Sequence, residues 1–177
     1  PGSDVANISL LGYDPRLYYT GRAPLEAASL GVELGTEDIA FRCNLGTLKA
    51  TEKTLLMEDY SAGHISTVQA RPLIESLDRE LSSSEFAFYP GTGYRHLMVW
   101  RKAKERCRNL TLTPPHDISG QDVGPYLPRG EEGQVLLRMM TDSQMILRRH
   151  PVNDQREEEG IRPANSTWFW GQGWQPQ

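Results

Sequence analysis

Apolar residues recur along the chain at two spacings, which separate predicted helices from predicted strands. In 134–149 they return every three or four residues, the spacing of an amphipathic helix, and Pro151 is expected to end that helix. The polar, acidic DQREEEG at 154–160 is expected to follow as a solvated connection. The same spacing predicts helices over 24–30 and 66–81. Pro72 lies inside the second of these, so we expect a kink there or a helix that restarts.

Shorter apolar runs predict strands. They lie at 38–45, 47–57, 84–90, 94–101 and 166–170. Gly46 is expected to join the first two, and the turn at 91–93 joins the next two as a β-hairpin. Because helices and strands are interspersed, the predicted class is α+β: a mixed or antiparallel sheet with helices packed on one face.

Composition narrows the classes of protein that fit. The 177 residues, 38% of them hydrophobic, suffice for one large domain, or for one domain with flanking pieces of another. A formal net charge of −4 argues against a general nucleic-acid partner. The sequence has no apolar stretch long enough to span a membrane and no secretory signal, so we expect a cytoplasmic protein without a membrane partner. Cys43 and Cys107 lie far apart outside any CxxC pattern and are expected to be reduced, structural thiols.

A basic run at 100–109 allows two interpretations. As a strand it would present Lys102, Lys104, Arg106 and Arg108 on one face. That face could be solvated, or it could form a rim that attracts phosphate.

Eight polar residues are candidates for binding because they lie beside predicted turns or on predicted strands. They are Arg22, Arg42, Asp59, His64, Arg95, His96, His116 and Asp117. Several arginines that converge on one site would suit a small anionic substrate, because a guanidinium can hold a carboxylate or phosphate with two hydrogen bonds. The pair His116-Asp117 could act in acid–base chemistry, or it could be a turn whose Asp accepts from backbone amides. The residues alone thus predict an anion-binding α+β protein.

Several segments together resemble one known family. They are PGSDVAN and GYDP within 1–15, YYTGRAPLEAA at 18–28, FRCNL at 41–45, DYSAGHIS at 59–66, YRHL at 94–97, TPPHDI at 113–118, HPVN at 150–153, and PAN and WFWGQG within 163–173. In order and wording they resemble the archaeal-type 2,3-bisphosphoglycerate-independent phosphoglycerate mutases of the alkaline phosphatase superfamily. The resemblance covers nearly the whole chain.

The resemblance implies a role for each candidate. It makes Ser3, before a predicted short helix, the phosphoryl-accepting nucleophile and a metal ligand, with a phosphoserine between 3-phosphoglycerate and 2-phosphoglycerate. The eight residues named above become substrate-binding groups for phosphoglycerate. Two divalent metal ions, manganese or magnesium, are expected in the full-length enzyme; this chain lacks their other ligands and is expected to bind none and to be inactive alone.

The resemblance also implies a division of the chain. Residues 1–36 would be a segment of the phosphatase-like domain that leads into a cap, 37–160 the cap or substrate-binding domain, and 161–177 the start of the return. The oligomeric state stays open. The alternatives are another metal-dependent phosphate or phosphonate ester hydrolase or phosphomutase of the superfamily, and a non-catalytic ligand-binding cap module.

Overall fold

The computed structural model of the protein describes residues 21–175. In chain order the elements are α1 (Ala23–Ser29), β1 (Ile39–Ala50), β2 (Leu55–Asp59), α2 (Thr67–Leu81), β3 (Phe86–Thr92), β4 (Arg95–Trp100), α3 (Lys104–Cys107), α4 (Gly130–Arg148), α5 (Pro151–Glu158) and β5 (Ser166–Gly173). The long segment between α3 and α4 contains two short 3-10 turns, Pro115–Ile118 and Gly124–Tyr126. None of the helices in this span is long and apolar enough to cross a membrane.

The strands form one antiparallel sheet around β1. This strand pairs with β2, β4 and β5, and β3 pairs with the far side of β4. The predicted α+β class is confirmed, and the sheet is the antiparallel one of the two alternatives.

The alternation of side chains along β1 divides the molecule into two layers. Ile39, Phe41, Cys43 and Leu45 point into the main core, where α2 and α4 also bury their apolar stripes. Residues 40, 42 and 44 point to the opposite face, which the short helix α1 covers in part through a small second cluster of apolar side chains. The polar side chain of Arg42 therefore lies on the sheet face away from the two long helices.

One predicted strand boundary was wrong, because local signals allowed more than one outcome. β1 continues through Gly46 to Ala50, and the chain turns at 51–54 instead, where the Thr51 hydroxyl accepts from the Thr54 backbone N–H. α2 runs through Pro72 as one helix, so of the two expected outcomes the restart is excluded and the kink stays a prediction.

The basic run and the segment after Pro151 also differ from expectation. Residues 104–107 form the one-turn helix α3 after Lys102 adopts a φ of 57°, so the four basic side chains do not share a strand face. Pro151 ends α4 as predicted, but it also opens α5, because a proline is compatible with the first turn of a helix. α5 is not a solvated connection: the Asn153 amide donates to the carbonyl oxygens of Leu147 and Ala164.

Candidate functional site

Arg42 is a buried cation on β1. Its side chain is 3% exposed, and its guanidinium carbon lies 4.7 Å from the centre of the Trp170 ring. The register of β1 with β5 pairs these two residues directly. The Trp170 indole N–H donates to the Asn44 side chain at 3.0 Å, and a carboxylate oxygen of Glu26 lies 3.7 Å from the Arg42 guanidinium. A cation–π contact in a desolvated site contributes about 2 kcal/mol, so the ring and the carboxylate together fix this charge in place.

Arg22 approaches the same carboxylate as Arg42. Its Nε lies 4.0 Å from the carboxylate oxygen of Glu26 that also faces Arg42. Gly21 makes this approach possible: its φ is +120°, and a Cβ there would lie 2.0 Å from the carbonyl oxygen of Gln172. A Cβ on Gly171 would contact the aliphatic carbons of both arginine side chains, so both side chains lie against this glycine.

His116 joins the cluster through its ring. The imidazole lies edge-on to Trp170 at 5.6 Å and to Tyr60 at 6.1 Å between ring centres. Its Nε2 is 3.3 Å from a carboxylate oxygen of Asp117, and both side chains are about half exposed. Of the two interpretations of His116-Asp117, the structure thus has the side chains facing each other. We call Arg22, Arg42, His116 and Trp170 the Arg42 cluster.

Arg95 stands at the edge of the same sheet face. It is the register partner of Asn44, so both side chains point to the side that Arg42 occupies. Its guanidinium lies 5.0 Å from the Tyr94 ring centre and donates to the Tyr94 hydroxyl at 3.0 Å. Tyr94 in turn lies edge-on to Tyr60 at 5.8 Å. Contacts between aromatic rings therefore connect Tyr94, the residue before β4, to His116 and the Arg42 cluster.

An open groove of about 430 Å³ adjoins the cluster. Its walls include Gly21, Arg108, Trp170 and Trp174. None of the eight candidate residues lines this groove, nor do they line the grooves of about 520 and 570 Å³ elsewhere on the surface. The groove therefore meets the Arg42 cluster at Trp170 and at Gly171, which lies against the side chains of Arg22 and Arg42.

Asp59 stabilises the loop that follows β2 through hydrogen bonds to its carboxylate. Its carboxylate accepts from the backbone and hydroxyl of Ser61 and from the backbone of Gly63, and it pairs with Arg162 at 3.0 Å. Burial would raise the pKa of the Asp59 carboxyl, but the bonds from Ser61, Arg162 and Gly63 outweigh it and lower that pKa. His64 follows with a φ of 52° and an exposed side chain. These contacts indicate a structural role for Asp59, and the structure does not bring either residue to the Arg42 cluster.

The His96 side chain is also buried within the fold, where it bonds to backbone groups of the β3–β4 hairpin. It is 3% exposed; its Nδ1 accepts from the Gly91 N–H at 2.9 Å, and its Nε2 donates to the Gly93 carbonyl oxygen at 2.8 Å. Since Nδ1 accepts from a backbone donor, the ring is neutral with its proton on Nε2. Burial lowers the pKa of His96 to about 4, more than the bond to Gly93 raises it.

The described residues bear on the expectations for metal ligands and for thiols. Within 21–175 no group of three His, Cys, Asp or Glu side chains could hold a metal ion, so the described residues do not fit a metal site. Ser3, the expected nucleophile and ligand, lies outside this span. Cys43 and Cys107 are buried free thiols as expected, and burial raises the pKa of each.

Sequence reasoning missed four residues that shape the site: Glu26, Asn44, Tyr60 and Trp170. The period-2 alternation of β1, which places residues 42 and 44 on one face, was a usable signal for Asn44. Glu26, four residues after Arg22 on a predicted helix, was a usable signal for an ion pair. Nothing local pointed to the other two, since their contacts join segments distant in sequence.

The chain is similar to proteins of known name. A family model described as 2,3-bisphosphoglycerate-independent phosphoglycerate mutase matches residues 1–153. A probable 2,3-bisphosphoglycerate-independent phosphoglycerate mutase of Geobacter sulfurreducens is 58% identical over 100% of this chain and 44% of its own length. A 2,3-bisphosphoglycerate-independent phosphoglycerate mutase of Methanosarcina mazei is 54% identical over 100% of this chain and 43% of its own length.

A solved structure agrees with these matches. The cofactor-independent phosphoglycerate mutase of Thermoplasma acidophilum superposes with a TM-score of 0.72 at 27% identity, covering 99% of this chain and 47% of that one. The chain thus spans less than half the length of the relatives it matches.

Proposed function

The chain belongs to the 2,3-bisphosphoglycerate-independent phosphoglycerate mutase family, and on this premise we propose that the full-length enzyme interconverts 3-phosphoglycerate and 2-phosphoglycerate through a phosphoserine on Ser3. The resemblance stated from the sequence is confirmed at the level of the family. Because the chain spans under half of its relatives, the activity and the substrate belong to the proposal. The cytoplasmic location and the absence of a nucleic-acid partner stay predictions.

The buried Arg42 on the Trp170 ring is the observation that carries the proposal for this part of the enzyme. After the phosphoryl group has moved to serine, glycerate must stay bound while a different oxygen turns toward the phosphoserine. Arginines suit this task, because a guanidinium holds a carboxylate with two parallel hydrogen bonds. We assign this anchoring to Arg42 and Arg22, with Glu26 keeping the two guanidinium groups in position when no substrate is bound.

The reaction then conserves the phosphoryl group. The Ser3 hydroxyl gives up its proton as its oxygen bonds to phosphorus, the bond from phosphorus to the substrate oxygen breaks, and that oxygen takes up a proton. In the return step the neighbouring hydroxyl loses its proton as its oxygen bonds to phosphorus, the bond from phosphorus to the Ser3 oxygen breaks, and the Ser3 oxygen takes up a proton. His116 is half exposed and lies edge-on to Trp170, which lines the groove, with Asp117 beside it, so it is our candidate to exchange a proton with a glycerate hydroxyl.

The remaining candidates keep narrower roles in the proposal. Arg95 is placed at the rim of the site, and His64 stays a prediction that rests on the resemblance. Two divalent metal ions, manganese or magnesium, with Ser3 as a ligand, belong to the full-length enzyme by the same resemblance. The steps above use the side chains of this chain alone.

The test is a substitution of Arg42 in an enzyme completed to the length of its relatives. Arg42→Lys keeps the charge but loses the planar fork, and we expect KM for 3-phosphoglycerate to rise by roughly ten- to hundredfold. Arg71→Lys is the matched control, because Arg71 is an exposed arginine on α2 that pairs only with Glu75. An unchanged KM in a folded Arg42→Lys enzyme contradicts the assignment. Steady release of inorganic phosphate without 2-phosphoglycerate would identify a hydrolase instead.

A further inference from the structure

The tip of the β3–β4 hairpin carries Arg95 and is held in an irregular conformation. The register between the strands shifts between Tyr89 and Thr92, so residues 90 and 91 bulge out of the ladder. A Cβ on Gly91 would lie 2.2 Å from the carbonyl oxygen of Arg95, which shows how closely the bulge approaches the next strand. Such a bulge leaves backbone groups without ladder partners, and when buried these must be satisfied elsewhere.

His96 supplies those partners from inside the hairpin. One ring nitrogen accepts from the N–H of Gly91 on the bulge, and the other donates to the carbonyl of Gly93 at the turn. The rigid imidazole therefore connects the bulge at Gly91 to the turn at Gly93. Two further bonds attach the tip to the rest of the fold: the Gly93 N–H donates to the Thr67 hydroxyl, and the Leu45 N–H donates to the Tyr94 carbonyl oxygen.

The fixed tip carries Arg95, and the register of β1 with β4 puts this residue on the sheet face that also carries the Arg42 side chain. Arg95 lies on the sheet face of Arg42, and its own neighbour Tyr94 begins the series of ring contacts that reaches His116 through Tyr60. Because the ring of His96 is buried on the opposite, helix-packed side of the strand, it does not itself reach the groove.

We infer that His96 is a positioning residue for substrate binding, which acts through Arg95 by holding the bulged hairpin tip at the edge of the site. The inference rests on the proposed function and changes the role that the sequence suggested for His96 from substrate contact to support. It also explains why a histidine occupies a buried position: in its neutral form one rigid side chain both accepts and donates.

A double-mutant cycle in the full-length enzyme tests the inference. We expect Arg95→Ala and His96→Gln each to raise KM for 3-phosphoglycerate several-fold while kcat stays within about twofold. If His96 acts through Arg95, the double variant has a KM no higher than the larger of the two single effects. Ser143→Ala is the control for general destabilisation, because Ser143 loses buried hydrogen bonds to Thr167 and Met140 on the far side of the sheet.

The outcomes separate this inference from the proposed function. Effects of Arg95→Ala and His96→Gln that multiply in the double variant overturn the inference, and so does a KM rise of equal size in Ser143→Ala. An Arg95→Ala enzyme with unchanged KM overturns it as well. The proposed function is judged separately by Arg42→Lys and by the conversion of substrate, neither of which requires His96.

Discussion

Acid should destabilise this protein through His96 well above the range where carboxylates titrate. The ring has a pKa of about 4 in the folded chain, against an ordinary value of 6.5 when unfolded. The unfolded state therefore binds a proton first as the pH falls, so the stability that the neutral ring provides is present above about pH 6.5 and is lost toward pH 4. Between pH 7 and pH 5 this linkage removes about 2 kcal/mol of unfolding free energy.

Urea unfolding of the chain at pH 7 and pH 5 measures the effect, with His96→Gln as the non-titrating comparison. At pH 7 the variant should be less stable, because the flexible glutamine amide does not hold an acceptor for the Gly91 N–H and a donor for the Gly93 carbonyl at the positions of the two ring nitrogens. At pH 5 the gap between the two proteins should narrow by about 2 kcal/mol. Burial and Arg79 also lower the pKa of His150, but that residue is present in both proteins, so its contribution cancels.

A titration of His96 in the wild type tests the same prediction even if His96→Gln fails to fold. The chain has four histidines, so NMR can follow each imidazole in the wild type. The reasoning requires the His96 ring to stay neutral down to pH 5. It is refuted if this ring titrates near 6.5, or if wild type and His96→Gln lose the same free energy between the two pH values.

Three further substitutions test the contacts that hold the site. Asp59→Asn should lower the free energy of unfolding, measured in urea, by about 2 kcal/mol. This difference should shrink as the pH falls below the ordinary aspartate pKa of 3.8, and an unchanged free energy of unfolding would contradict the role of Asp59 in stabilising its loop. Gly21→Ala should lower Tm, because the added Cβ would lie 2.0 Å from the Gln172 carbonyl oxygen, and an unchanged Tm would contradict that close approach. Arg156→Lys should speed amide hydrogen exchange in 61–64, since the guanidinium donates to the Ala62 carbonyl at 2.7 Å; equal exchange in both proteins would argue against this bond.

The parts of the fold that follow from local pattern could be predicted from the sequence. Ser66 caps α2 and accepts from the Gln69 backbone, as the capping-box spacing indicates. The hairpin of β3 and β4 likewise follows from two apolar runs around a glycine-rich turn. Each of these signals lies within a few residues of the structure that it specifies.

What could not be predicted depends on tertiary contacts. Arg42 is buried only because β1 pairs with β5 in the register that sets Trp170 beside it, and no short segment contains that register. α5 was missed because DQREEEG reads as solvated, whereas Asn153 and Arg156 are buried and donate to the carbonyl oxygens of Leu147 and Arg162. The role of His96 was likewise invisible, since both of its partners are backbone atoms.

The most direct test of the account is the conversion of 3-phosphoglycerate to 2-phosphoglycerate by the full-length enzyme with manganese, followed by coupling to enolase, with inorganic phosphate measured in the same samples. The account predicts 2-phosphoglycerate without matching phosphate release, and loss of this activity in Ser3→Ala. Phosphate release without 2-phosphoglycerate, or full mutase activity in Ser3→Ala, would contradict it.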